Sequence, residues 1–114
     1  MAFEIEITDE ADRQLQWLTV RDQRRLEEAI WTRLREDPTT PTNAIKLMRP
    51  NPRAQFELRV GNLRAMYNVT DGRVTIVVVG KKNRNELLVC GKEYHDHQDD
   101  PVEPIRGEPG EDAE

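Results

Sequence analysis

Phe3-Glu4-Ile5-Glu6-Ile7 alternates apolar and acidic residues, the pattern of a strand covered on one face. Thr8 follows as an N-cap, with Asp9 and Glu10 in the first turn, where the helix dipole favours carboxylates. The spacing predicts a helix running to about Leu18, with Ala11, Leu15 and Leu18 as its apolar stripe and Trp17 beside it. Thr19-Val20-Arg21-Asp22 fits a loose capping box and opens a second helix. Leu26, Ile30 and Leu34 recur every four residues in it, joined by Ala29 and flanked by Trp31. Both tryptophans are expected in the helix packing, with Trp31 as an exposed protein-binding anchor the other reading. Asp37-Pro38 ends the helix, because a residue before proline avoids the helical region.

Pro38 to Pro52 is a connector with four prolines around the short basic piece Ile45-Lys46-Leu47-Met48-Arg49. Beyond it the period changes to two. Phe56, Leu58 and Val60 share one face, with Glu57 and Arg59 on the other. Gly61-Asn62 breaks the run. Leu63, Ala65, Tyr67 and Val69 then oppose Arg64, Met66, Asn68 and Thr70. Tyr67 therefore reads as core rather than as a base-stacking ring. Asp71-Gly72 is a strong hairpin signal, since both positions of that turn take positive φ. Val74 to Val79 is apolar throughout except Thr75, which predicts a central strand covered on both faces. Gly80 ends it and releases Lys81-Lys82-Asn83-Arg84. Leu87 to Cys90 reads as one more short strand, with Cys90 as a small buried residue, and Gly91 to Tyr94 as a terminal turn.

The fold class is α+β, in the order β-α-α-β-β-β(-β). Two amphipathic helices are both covered only if their hairpin packs on one face of the small antiparallel sheet. The opposite face, carrying Arg59 and Arg64, is expected to be open.

Charge sharpens this picture. The chain has 114 residues and a net charge of −5. Residues 46–92 nevertheless hold ten Lys/Arg against three acids, while residues 93–114 hold nine acids and one base. A basic sheet inside an acidic chain is the footprint of a phosphate-rich or acidic partner. Residues 98–114 contain three Pro, two Gly and seven acids and are expected to form a disordered acidic tail after a single domain, 1–97. The opposite signs raise a further reading, in which the tail lies back over the basic sheet in place of RNA or an acidic protein. A solubilising tail is the plainer one. One cysteine excludes an internal disulfide framework. The chain starts without a basic, then apolar, leader, and its longest apolar run is Ile76 to Val79. The expectations are a cytoplasmic protein with no membrane segment.

Two motifs, LRVGNLRAMYNV (58–69) and VTIVVVGKKNR (74–84), in that order, resemble the RelE/ParE superfamily of type II toxin–antitoxin toxins. The first strand, the two helices and the Lys-Leu piece at 46–47 agree, so the resemblance covers about residues 3–94. It implies a toxin neutralised by, and assembled with, a cognate antitoxin. In the RelE branch it implies an endoribonuclease that cuts ribosome-bound mRNA by attack of a 2′-OH, with no cofactor and no metal. Carried over by position, Arg64 and Lys82 would hold and stabilise the scissile phosphate. Arg59, Lys81, Arg84, Lys46 and Arg49 would support RNA binding. Two lysines of the RelE nucleases would fall at Gln55 and Glu57, and a tyrosine at Leu88. The alternatives are a ParE-type toxin that acts by binding gyrase, or a degraded relative that keeps only antitoxin or nucleic-acid binding.

Each basic residue also has a plainer reading, as a solvated arginine on a strand or as charge that guards a sheet edge. Cleavage by 2′-OH attack needs a proton acceptor and a donor. Tyr94, His95 and His97 are the nearby groups able to serve. His95-x-His97 lacks an evident third ligand for a metal.

Overall fold

The computed structural model describes residues 2–94. His95, His97 and the 98–114 tail lie outside the described residues. The order is β1 (Glu4–Ile7), α1 (Asp9–Gln16), α2 (Val20–Ala29), β2 (Ile45–Leu47), β3 (Phe56–Val60), β4 (Leu63–Thr70), β5 (Arg73–Asn83), β6 (Glu86–Val89) and β7 (Lys92–Glu93). Both threonine caps form as the sequence predicts. Thr8 and Thr19 are extended, and their hydroxyls accept from the Ala11 and Asp22 amides at 3.1 Å each. After Ala29 the helix widens into π-type turns over Ile30–Leu34, which keeps Ile30 and Leu34 buried beside Leu26.

Strands β2 to β7 pair in sequence order, every pair antiparallel. β1 pairs parallel with β5, Glu4 opposite Arg73 through Ile7 opposite Ile76. The two helices therefore form the crossover between β1 and the sheet, and they cover one of its faces. Asp71 and Gly72 both take positive φ, 52° and 79°, as their hairpin requires. A second such turn, Cys90 (φ 54°) and Gly91 (φ 78°), joins β6 to β7. Cys90 is thus a half-buried turn residue rather than a core one.

The main core lies between the helices and the sheet. Ala11, Leu15, Leu26, Ile30 and Leu34 meet Phe56, Leu58, Leu63, Ala65, Tyr67, Val74, Ile76 and Val79. Tyr67 is fully buried, stacks on Phe56 at 5.4 Å, and donates to the Pro38 carbonyl at 2.6 Å. Burial pushes its phenol pKa up, out of the working range. The tryptophans sit outside this core. Trp17 is 60% exposed with its ring edge against Gly91, and Trp31 is 54% exposed under the Arg35 guanidinium.

β5 is interrupted by a bulge. Met66 faces Val78 and Tyr67 faces Ile76, so Val77 is the extra residue. Between the end of β1 and the start of β6, the Val79 amide has no strand to bond. The buried side chain of Gln14 accepts from it at 2.8 Å.

The second face is less open than the pattern suggests. Ala54 from the connector, Met66 and Val78 form a small second cluster there, with Met48, Val77, Leu87, Val89 and Tyr94 packed around it.

Removing either buried partner leaves a backbone group without a hydrogen bond, at about 1–3 kcal/mol. Gln14→Met strands the Val79 amide, and Tyr67→Phe strands the Pro38 carbonyl. Each variant is expected to unfold at lower urea with an unchanged slope, and equilibrium denaturation reads this directly.

Candidate functional site

The bulge decides which basic side chains share a face. Ile76 faces the helices, and strict alternation would send Lys82 the same way. The extra residue inverts the parity, so Val79 and Lys81 face the helices while Val78, Gly80 and Lys82 face away. Across the ladder, Lys82 opposes Leu87, Gly80 opposes Arg64, and Arg64 opposes Arg59.

Of these, Arg59, Lys82 and Leu87 belong to an open cavity of about 450 Å³, lined by Lys46 to Arg49 on one side and by Lys82, Asn85, Leu87 and Tyr94 on the other, over Glu57, Arg59 and Met66. Among the described lining residues four are bases and one is an acid, which makes this surface positive. Five of the eight expected site residues meet there: Lys46, Arg49, Arg59, Lys82 and Tyr94. The Lys82 amide donates to the Asn62 carbonyl at 2.7 Å, which anchors the strand. Its ammonium lies 3.5 Å from the Asn85 carbonyl, at the limit of a hydrogen bond.

The other expected residues are placed differently. Lys81 turns to the helix side and binds the Asp22 carboxylate at 3.1 Å, so it does not support the cavity. Asp22, expected in a capping box with Thr19, keeps its bond to that cap and also engages Lys81 and, at 3.6 Å, Arg25 with its side chain. The hydrogen bond from Lys81 outweighs burial and holds the Asp22 carboxyl below its ordinary value. Arg64 does not line the cavity. Its guanidinium donates to the Gly61 and Leu63 carbonyls at 2.8 and 2.9 Å, and burial lowers its pKa. Arg84 occupies the exposed β5–β6 turn at φ 62°.

Tyr94 reaches the cavity by a route the sequence does not announce. The Cys90-Gly91 turn folds the chain back, and the Tyr94 amide donates to the Leu87 carbonyl at 2.7 Å. The Arg53 guanidinium lies 5.7 Å from its ring centre. The Tyr94 hydroxyl is buried, so the ring is presented as a wall. Leu88, where a family tyrosine would fall, opposes Lys81 and so faces the helix side. A tyrosine there would point away from the cavity. Glu57 bonds Arg59 at 3.2 Å inside it. Asn85, Leu87 and Met66 line the site unanticipated; Leu87 was legible only once the register to Lys82 was known.

No protein-family profile matches this sequence, and no curated protein does either. Solved structures do. The toxin–antitoxin complex RelBE2 of Mycobacterium tuberculosis aligns at TM-score 0.63 and 24% identity, over 72% of this chain and all of that one. The archaeal RelE–RelB complex of Pyrococcus horikoshii aligns at 0.59 and 20%, over 74% and 99%. The E. coli toxin RelE, free and with two arginines replaced by alanine, aligns at 0.57 and 24%, over 75% and 88%. The chain therefore has the RelE-like α+β fold, a helical hairpin on one face of a small sheet.

Two outcomes follow from this geometry. A Cβ on Gly80 would stand 2.7 Å from the Leu88 carbonyl, a backbone atom that yields only if β6 moves. Gly80→Ala is expected to cost about 1–3 kcal/mol and to shift the Leu87 and Tyr94 amide resonances. Because the Asp22 pKa is depressed in the folded state, its contribution is present above the ordinary carboxylate range and is lost as pH falls through the folded value. Asp22→Asn should be less stable than the parent at neutral pH, and the difference should shrink below about pH 4, as measured by urea midpoints.

Proposed function

We propose that this protein is the toxin of a type II toxin–antitoxin pair, and that its basic cavity binds RNA phosphate on the ribosome to cleave mRNA. The single observation that supports this reading most is the convergence of Lys46, Arg49, Arg59 and Lys82 around one cavity, together with RelE-like neighbours crystallised with RelB partners. Lys82 has the geometry for the principal phosphate contact. Its ammonium is a point charge at the end of an anchored strand, suited to an oxygen that gains charge as the 2′-OH attacks. Arg59 lies on the cavity floor, and Arg64 steadies the hairpin that carries Arg59. Tyr94 supplies an aromatic wall on which a base can stack. The partners are a cognate antitoxin, which would form an oligomer with the toxin, and ribosome-bound mRNA. The working compartment would be the cytoplasm.

One observation favours a second reading. Glu57 stands within the cavity and already engages Arg59, which weakens the field a nuclease would need. A toxin that acts by binding a protein, as ParE-type toxins bind gyrase, would tolerate that pairing.

Inducing the protein in cells and mapping mRNA 5′ ends beside plasmid supercoiling separates the two. New ends within translated reading frames support the nuclease. Altered supercoiling with intact mRNA supports the gyrase reading. Lys82→Ala should lower single-stranded RNA affinity and reduce the salt slope of binding by about 0.7. Lys81→Ala, on the other face, should leave that slope unchanged; equal losses in the two variants would refute the assigned cavity.

A further inference from the structure

We propose that the cavity has an occupant within the chain itself: the acidic segment 98–114. Charge argues for it first. Among the described residues, the cavity is lined by Lys46, Arg49, Arg59 and Lys82 and by one acid, Glu57. Residues 98–114 carry seven acids and one base, Arg106. Carboxylates and phosphates are bound by the same donors, through charge-assisted hydrogen bonds to lysine and arginine.

Connectivity argues for it independently. Tyr94 is both the last described residue and part of the cavity wall, so the segment is tethered at the cavity. Asp99 and Asp100 are five and six residues on, a reach of up to about 20 Å. A segment tethered so close acts at an effective concentration on the order of millimolar. An untethered affinity of about 0.1 mM would then raise the apparent dissociation constant for RNA about tenfold. The inference does not rest on nuclease activity, because it concerns the anion-binding property of the cavity alone.

The test uses the full chain. In one variant the seven acids of 98–114 become amides, from Asp99→Asn, Asp100→Asn and Glu103→Gln onward; in another the chain stops at residue 97. Amide resonances of Lys46, Arg59, Lys82 and Leu87 are compared with the parent at about 0.05 M and about 0.5 M salt. The expected result is a shift at these positions in both variants at low salt that vanishes at high salt. A single-stranded uridine oligonucleotide should also bind both variants about tenfold tighter at low salt. Unchanged cavity resonances overturn the proposal. So do differences that grow with protein concentration, which would mean that a second copy supplies the tail. If the resonances shift and no form binds the oligonucleotide, the tail contact stands and the RNA reading fails. If all forms bind it equally and no resonance moves, the RNA reading survives and the tail contact fails.

Discussion

The rest of this fold is organised around β5, one edge of which is shared by two strands. β1 occupies that edge opposite Arg73 to Ile76, and β6 takes it up again opposite Lys81 to Asn83. The amide left between them, at Val79, is bonded by Gln14. The other edge is held by β4 with one surplus residue at Val77. These facts are coupled. The bulge turns Val79 toward the helices, where Leu15 and Tyr67 share its core. The same inversion carries Lys82 outward and Lys81 inward. A slip of one residue would exchange the two lysines, leaving Asp22 without its partner and the cavity without its ammonium.

This coupling explains what could be read from the sequence and what could not. The threonine caps, the Asp71-Gly72 turn and the alternation in β3 and β4 depend on neighbours a few residues away, and each formed as its pattern implied. The same holds for burial of Tyr67, whose face was fixed by Leu63 and Val69. Lys81 and Lys82 could not be told apart because Ile76 to Val79 is apolar at every position. A run without polar residues has no parity, so a bulge within it leaves no trace. The role of Gln14 was legible in principle, since it sits on the stripe of Ala11, Leu15 and Leu18. A polar residue on such a stripe implies a buried partner. Tyr94 could not be placed, because its position depends on a turn in which Cys90, a residue not suited by type to positive φ, adopts 54°.

The same reasoning separates fold from chemistry at the site. Arg59 and Arg64 face each other across β3 and β4, and like charges so placed repel. The repulsion is relieved twice, by Glu57 on Arg59 and by two hairpin carbonyls on Arg64. Arg59 is thus engaged along its own strand, and Arg64 by the hairpin backbone. An arginine that satisfies backbone carbonyls loses those bonds on turning to a ligand, which lowers its net gain from a phosphate. Lys82 meets one carbonyl at the limit of bonding distance, so it has little to lose and more to gain. The positions most alike in sequence pattern to a phosphate clamp are therefore unequal in energy: of Arg59, Arg64 and Lys82, the lysine turned outward by the bulge gives up least on meeting an anion.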